Sequence, residues 1–280
     1  MLDSLIEQSG LPREQLLDEV QAVHRRHGTS EYAFLIEELP SLRRLHPGSD
    51  LNEVYRTAVE ARRRARNQSL RLYPGVRETL TALREQGTVV VGYTESMAYY
   101  SSTRVRKLGL DGLLSVLYSP ADHELPRGLT REQVRRHPEE HYQLTRVLHR
   151  HTPPGELKPN PKLLIDIIRD LRTTVSEVAY VGDSPMKDVA MAQDAGVADV
   201  LALYGKAQDR AAYELLRRVT HWTPEDVERE KAILQRGDIR PTFILSQSFD
   251  ELTNLFDFVP SSRETLTAIA SRGDSVAMID

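Results

Sequence analysis

Three short stretches of the chain combine residues able to handle an anion or a cation. In Val91-Gly92-Tyr93-Thr94-Glu95-Ser96 a threonine directly follows an apolar run. At the carboxyl end of a strand its hydroxyl and the nearby amides would face a ligand; the plainer role is a helix cap, which Thr and Ser often supply. In Glu156-Leu157-Lys158-Pro159-Asn160-Pro161 a lysine stands between turn residues just before a helix. There its ammonium can meet an anion as a point charge, or simply be solvated like most lysines. The third stretch, Tyr180-Val181-Gly182-Asp183-Ser184-Pro185-Met186-Lys187-Asp188, reads as a strand, an acidic turn and the start of a helix that ends near Gly196. Two carboxylates around one tight turn make a hard-oxygen environment suited to Mg²⁺. The bland alternative is Asp183 as helix cap and Asp188 exposed in the first turn.

Other patterns carry less. Gly182-Asp183-Ser184 lacks the later Asp-x-x-His that a Gly-Asp-Ser esterase needs, and there is no Gly-x-Ser-x-Gly, Gly-x-Gly-x-x-Gly or Walker A loop. His137 and His141 are spaced as a helical metal pair, but Pro138 intervenes and no third ligand is evident, so these and His149 and His151 read as surface histidines. Arg62-Arg63-Arg64-Ala65-Arg66 reads as a solvated helix face, and Trp222 as a packing residue.

The elements that must position these groups follow from hydrophobic periodicity. Up to about residue 70 the pattern is helical, over Pro12–His27, Ser30–Leu39 and Asp50–Leu70. After Tyr73-Pro74-Gly75, strand-length apolar runs at Thr88–Tyr93, Ser115–Ser119, Val178–Gly182, Asp199–Tyr204 and Thr242–Ser246 alternate with helices at Val76–Gln86, Ser102–Leu108, Pro161–Leu171, Met186–Ala195 and Ala207–Val219. Continuous apolar runs suit strands covered on both faces, so the expected class is α/β, a doubly wound parallel sheet with its sites at the strand carboxyl ends. A Pro- and His-rich excursion covers about 121–154, with a helix expected in Thr130–Arg150. The expected domains are a helical cap at 1–70, a core at 71–260 and a weakly patterned tail at 261–280.

Composition narrows the class. The 280 residues contain no cysteine, which excludes disulfides, thiolate metal sites and cysteine nucleophiles. The net charge of −4 argues against a broad nucleic-acid footprint. No apolar run approaches the ~20 residues of a membrane span, and the acidic opening is unlike a signal peptide. A soluble, cytoplasmic protein is the expectation, with oligomeric state open.

The order strand-Thr94, Lys158-Pro before a helix, then strand-Gly182-Asp183-x4-Asp188 resembles the haloacid dehalogenase (HAD) superfamily, over roughly Tyr73 to Tyr204. The resemblance implies a HAD-like Rossmannoid core with a small α-helical cap, and Mg²⁺-dependent hydrolysis of a small phosphate monoester through an aspartyl-phosphate. It implies that Thr94 and Lys158 hold the phosphoryl group and that Thr94, Glu95 and Lys158 line the substrate site. Asp183 would bind Mg²⁺, and Asp188 would bind the metal or orient Lys158.

The family's first motif, Asp-x-Asp-x-Thr after an apolar strand, is missing: no Asp-x-Asp occurs in the chain. That strand is central in the family's sheet, so its neighbours would be left with unpaired backbone. The expectation is that the native protein carries a further amino-terminal segment. The alternatives are a non-catalytic phosphate-binding or regulatory pseudoenzyme, or Ser275–Ile279, ending on Asp280, in the vacant position.

Overall fold

The computed structural model describes residues 1–125, 129–135, 137–205, 210–235 and 239–271. Along the chain come α1 (Leu2–Ser9), α2 (Arg13–His27), α3 (Pro40–Leu45), α4 (Leu51–Val54), α5 (Arg56–Ser69), α6 (Val76–Glu85), β1 (Val91–Tyr93), α7 (Ala98–Lys107), β2 (Val116–Pro120), α8 (Arg131–Val134), β3 (Leu148–Thr152), α9 (Pro161–Asp170), β4 (Ala179–Gly182), α10 (Ala190–Asp194), β5 (Ala198–Ala202), α11 (Arg210–Val219), α12 (Pro224–Gln235), β6 (Phe243–Leu245) and α13 (Arg263–Ala270). They form two compact units, 1–71 with 207–231, and 72–206 with 232–280.

The first unit is helical. Leu16, Leu17, Val20 and Val23 of α2, spaced for one face, are buried with Leu5, Leu39, Leu42 and Tyr55. Two expected helices are interrupted. Ser30–Leu39 contains only a 3-10 turn at Ile36–Glu38, and Pro40 opens α3 instead of following a helix; its fixed φ and missing N–H suit a first helical position. The run Asp50–Leu70 breaks at Tyr55, whose φ of −102° and ψ of 31° are not helical while its ring is buried. Residues 207–231, expected in the core domain, belong with this helical unit. Leu215 and Val219 of α11 pack into its apolar cluster, and Arg218 pairs with Asp18 at 2.5 Å and with Glu14 at 3.2 Å. Burying one amphipathic face required a partner that local pattern did not name.

The second unit is α/β, and every strand pair in it is parallel. Among the described residues the sheet is in two halves. One half runs β1-β2-β3 and the other β4-β5-β6, and among the described residues no ladder joins β1 to β4. The middle strands β2 and β5 are largely buried, whereas every residue of β1 and β4 is only half-buried. Helices cover both faces of the first half: α9 packs Leu163 and Ile167 on Val116 and Tyr118, while Val105 of α7 meets Leu117 and Val147 on the other side. Helix α9 also bridges the halves. Its Leu164 and Ile168 share one cluster with Tyr93 of β1 and Tyr180 of β4.

Three further expectations change. The helix expected in Thr130–Arg150 is confined to α8 and a 3-10 turn at Glu139–His141, and Leu148–Thr152 is instead strand β3. Leu148 pairs with Val116 and joins its cluster, and Arg150 reaches across to Asp170 and to the Ala268 carbonyl (2.9 Å), which tertiary contact rather than local pattern selects. The Thr88–Tyr93 run is strand only from Val91, because the Thr88 N–H donates to the Leu83 carbonyl (2.9 Å) and the Val89 N–H to Ser261 Oγ (2.9 Å). The tail contains a full helix, α13, capped by Ser262 and packed through Ile269 beside Val91 and Leu148. Ser275–Ile279 and Asp280 lie outside the described residues.

Candidate functional site

The three polar stretches meet at the carboxyl ends of β1 and β4. Thr94 continues the β1 ladder, donating its amide to the Tyr118 carbonyl at 3.0 Å. Its Oγ1 accepts the Ser96 N–H at 3.1 Å, which stabilises the turn and leaves the hydroxyl proton free to point elsewhere. Thr94 is not the cap of α7; that position is Met97.

Lys158 is held rather than solvated. Nζ donates to the Tyr93 carbonyl at 3.3 Å and to Asp188 Oδ1 at 3.1 Å. The two side chains of this ion pair are only 13% and 8% exposed. The ammonium lies 4.6 Å from the Tyr93 ring centre and 5.5 Å from that of Tyr180, within reach of cation–π attraction from both. Asn160 follows closely as the cap of α9, accepting the Leu163 N–H at 2.9 Å, so a rigid helix start anchors the Lys158 loop.

Asp188 is the hub. Oδ1 accepts from Lys158 and from the Tyr180 hydroxyl (3.1 Å), and Oδ2 accepts the Ser184 N–H at 3.1 Å. Its buried charge is thus paired and hydrogen-bonded, as a buried carboxylate requires. Gly182 makes room for it: a Cβ there would lie 2.3 Å from Asp188 Cβ. The acidic turn is wound as a single π turn over Pro185–Val189, and its cap is Ser184 Oγ, which accepts the Lys187 N–H at 3.1 Å, so capping does not fall to Asp183. The Asp183 residue as a whole is exposed, but its carboxyl is partly screened from water by the turn around it, and this desolvation, then the Asp188 charge, raises its pKa. Burial and the same Asp188 charge push the Tyr180 phenol up.

Glu95 is engaged on both oxygens. Oε1 accepts the Lys158 backbone N–H at 2.7 Å and Oε2 the Lys187 ammonium at 2.7 Å. Sequence reasoning assigned no role to Tyr93, Tyr180 or Lys187. The available signal was positional: Tyr93 immediately precedes Thr94, Tyr180 lies two residues before Gly182 on the same strand, and Lys187 lies inside the acidic turn.

Two lysines, Lys158 and Lys187, here face three carboxylates, Glu95, Asp183 and Asp188. A phosphate entering such a set gains from an added cation. Asp183 is an exposed hard-oxygen donor, which fits Mg²⁺, an ion that needs only one or two protein carboxylates beside substrate oxygens and water. Asp188 is committed to Lys158, Tyr180 and Ser184, which fits it to orienting Lys158. The remaining histidines do not extend this set. The His137 and His141 ring centres lie 4.1 Å apart, tilted by 34°, near the surface, and among the described residues no group of three potential ligands is assembled.

A sequence model of the haloacid dehalogenase-like hydrolases matches residues 4–196, more than half of the chain. The chain belongs to that family. A second, HAD-hydrolase-like model matches residues 157–246, taking in Lys158, Asp183 and Asp188. The family member is 29% identical over 203 residues to a glyceraldehyde 3-phosphate phosphatase of Methanopyrus kandleri, covering 72% of each chain. Solved structures similar to it include a predicted phosphoglycolate phosphatase from Haemophilus somnus (18% identity, 91% of this chain and 88% of the other, TM-score 0.45) and a 2-haloacid dehalogenase from Pseudomonas syringae (18%, 78% and 88%, TM-score 0.33). Among the described residues no helix is long and apolar enough to cross a membrane.

Proposed function

We propose that this HAD-like hydrolase binds and hydrolyses a small phosphate monoester at the carboxyl ends of β1 and β4, with Mg²⁺ at Asp183. The observation that carries the reading is the held ammonium of Lys158, fixed between Tyr93, Tyr180 and Asp188 beside Thr94. A preorganised cation costs no reorganisation when negative charge grows on a phosphoryl group. Thr94 donates its hydroxyl proton to a phosphoryl oxygen, and Lys158 neutralises a second. Asp188 holds Lys158 in place, and Asp183 would hold the metal. When bound, Mg²⁺ supplies charge neutralisation between carboxylate and phosphate. The likeness to a relative named for glyceraldehyde 3-phosphate supports a compact sugar-phosphate-sized ester.

A second reading has its own observation. No Asp-x-Asp occurs among the 280 residues, so the attacking carboxylate implied by the family resemblance is not supplied by that motif. On this reading the same pocket binds phosphate without turnover. One assay separates the two: the full chain is given p-nitrophenyl phosphate with Mg²⁺. Hydrolysis that Asp183→Asn lowers by ~10²-fold or more supports the enzyme. Phosphate binding without any hydrolysis supports the binding protein, and hydrolysis indifferent to Asp183→Asn removes the metal assignment.

A further inference from the structure

Glu95 lies in the site with both of its oxygens already engaged by the protein. Its carboxylate spans two segments far apart in sequence, the Lys158 backbone on one side and the Lys187 ammonium on the other, each at 2.7 Å. Both ends are shielded, with the Lys187 and Glu95 side chains 20% and 25% exposed. Lys158 is thereby held at two points: its amide by Glu95, its ammonium by Asp188 and the Tyr93 carbonyl. A four-carbon side chain with free rotors presents its charge reproducibly only if its backbone is fixed as well as its tip. A bare carboxylate beside an anion site would also repel the anion, and the Lys187 ammonium removes that repulsion.

We infer that Glu95 is a positioning residue, a carboxylate clip that fixes the Lys158 loop and that Lys187 neutralises, so that Lys158 meets a phosphate without a competing charge. Neither residue touches the ligand. The inference rests on the phosphate reading of the site and adds two residues to it.

The test uses the full chain in Mg²⁺ buffer with inorganic phosphate as probe, followed by ³¹P line width and by the thermal midpoint. Glu95→Gln keeps an acceptor for the Lys158 amide and should recover most of the phosphate binding that Glu95→Ala loses. Glu95→Ala should bind about tenfold more weakly, the scale of one lost hydrogen bond to a charged group. That loss should vanish in a Lys158→Met background, since the clip acts only through Lys158. Lys187→Met should weaken binding several-fold, and adding Glu95→Gln to it should restore most of the loss. The inference is overturned if Glu95→Ala binds as well as or better than the parent, if its effect persists without Lys158, or if the Lys187→Met loss is not relieved by Glu95→Gln. Should Glu95→Ala not fold, the Lys187→Met and Lys187→Met/Glu95→Gln pair decides alone.

If the unsubstituted chain ignores phosphate, the phosphate reading fails separately. The clip is then judged by amide hydrogen exchange at Lys158. Exchange at least about tenfold faster in Glu95→Ala supports it, and equal rates overturn it.

Discussion

Asp188 accepts three hydrogen bonds with two oxygens while carrying a buried charge, and removing it strands all three donors. Asp188→Ala should lower stability by about 3 kcal/mol, because Lys158 loses its counter-ion in a half-closed site; urea unfolding of the two proteins measures this. His149 makes a second residue-scale prediction. Desolvation, with the neighbouring His151, lowers its pKa from 6.5 to about 4, and its Nε2 is bonded to the buried Ser119 Oγ at 2.8 Å. Between those values the unfolded chain binds a proton that the folded one does not, so stability falls as pH drops from 6.5 towards 4. Thermal midpoints across that range should decline, and His149→Gln should flatten the decline. The residue types of the site were legible in the sequence, since Thr94, Lys158, Asp183 and Asp188 each follow a strand or precede a helix. Their partners were not: Glu95 and Lys187 are 92 positions apart, and only the fold joins them.

Helix α9 shows how an element transmits order to the site. Asn160 caps it two residues after Lys158, so Asn160→Ala should cost about 1 kcal/mol of stability in urea unfolding and also loosen the lysine loop. Such helices, with apolar residues at helical spacing and a capping signal, were legible in advance. Strand β3 was not, because His149-Arg150-His151 lacks the apolar alternation of a strand and owes its place to pairing with β2. Helix α11 has an evident amphipathic pattern, yet its partner α2 lies some two hundred residues earlier, as the 2.6 Å bond from His24 to the Val219 carbonyl illustrates. Local periodicity identifies a face to be buried and is silent on what buries it.

At the scale of the whole α/β unit, two half-sheets are held side by side by α9 and by Lys158, with no ladder between them among the described residues. Parallel strands were readable from the apolar runs, and so was the likeness to the family; among the described residues the ladder is interrupted between β1 and β4. Amide exchange should reflect it. The amides of β1 and β4 should exchange at least about tenfold faster than those of β2 and β5, since partly exposed ladders open at lower cost than buried ones; uniform protection across the four strands would count against this description. The interruption also bears on how the protein behaves in a crowded tube. Among the described residues β1 and β4 each pair along one side only, and an apolar strand edge is a template for foreign strands. Concentrated solutions should therefore become turbid on gentle warming, below the temperature at which the helical unit melts.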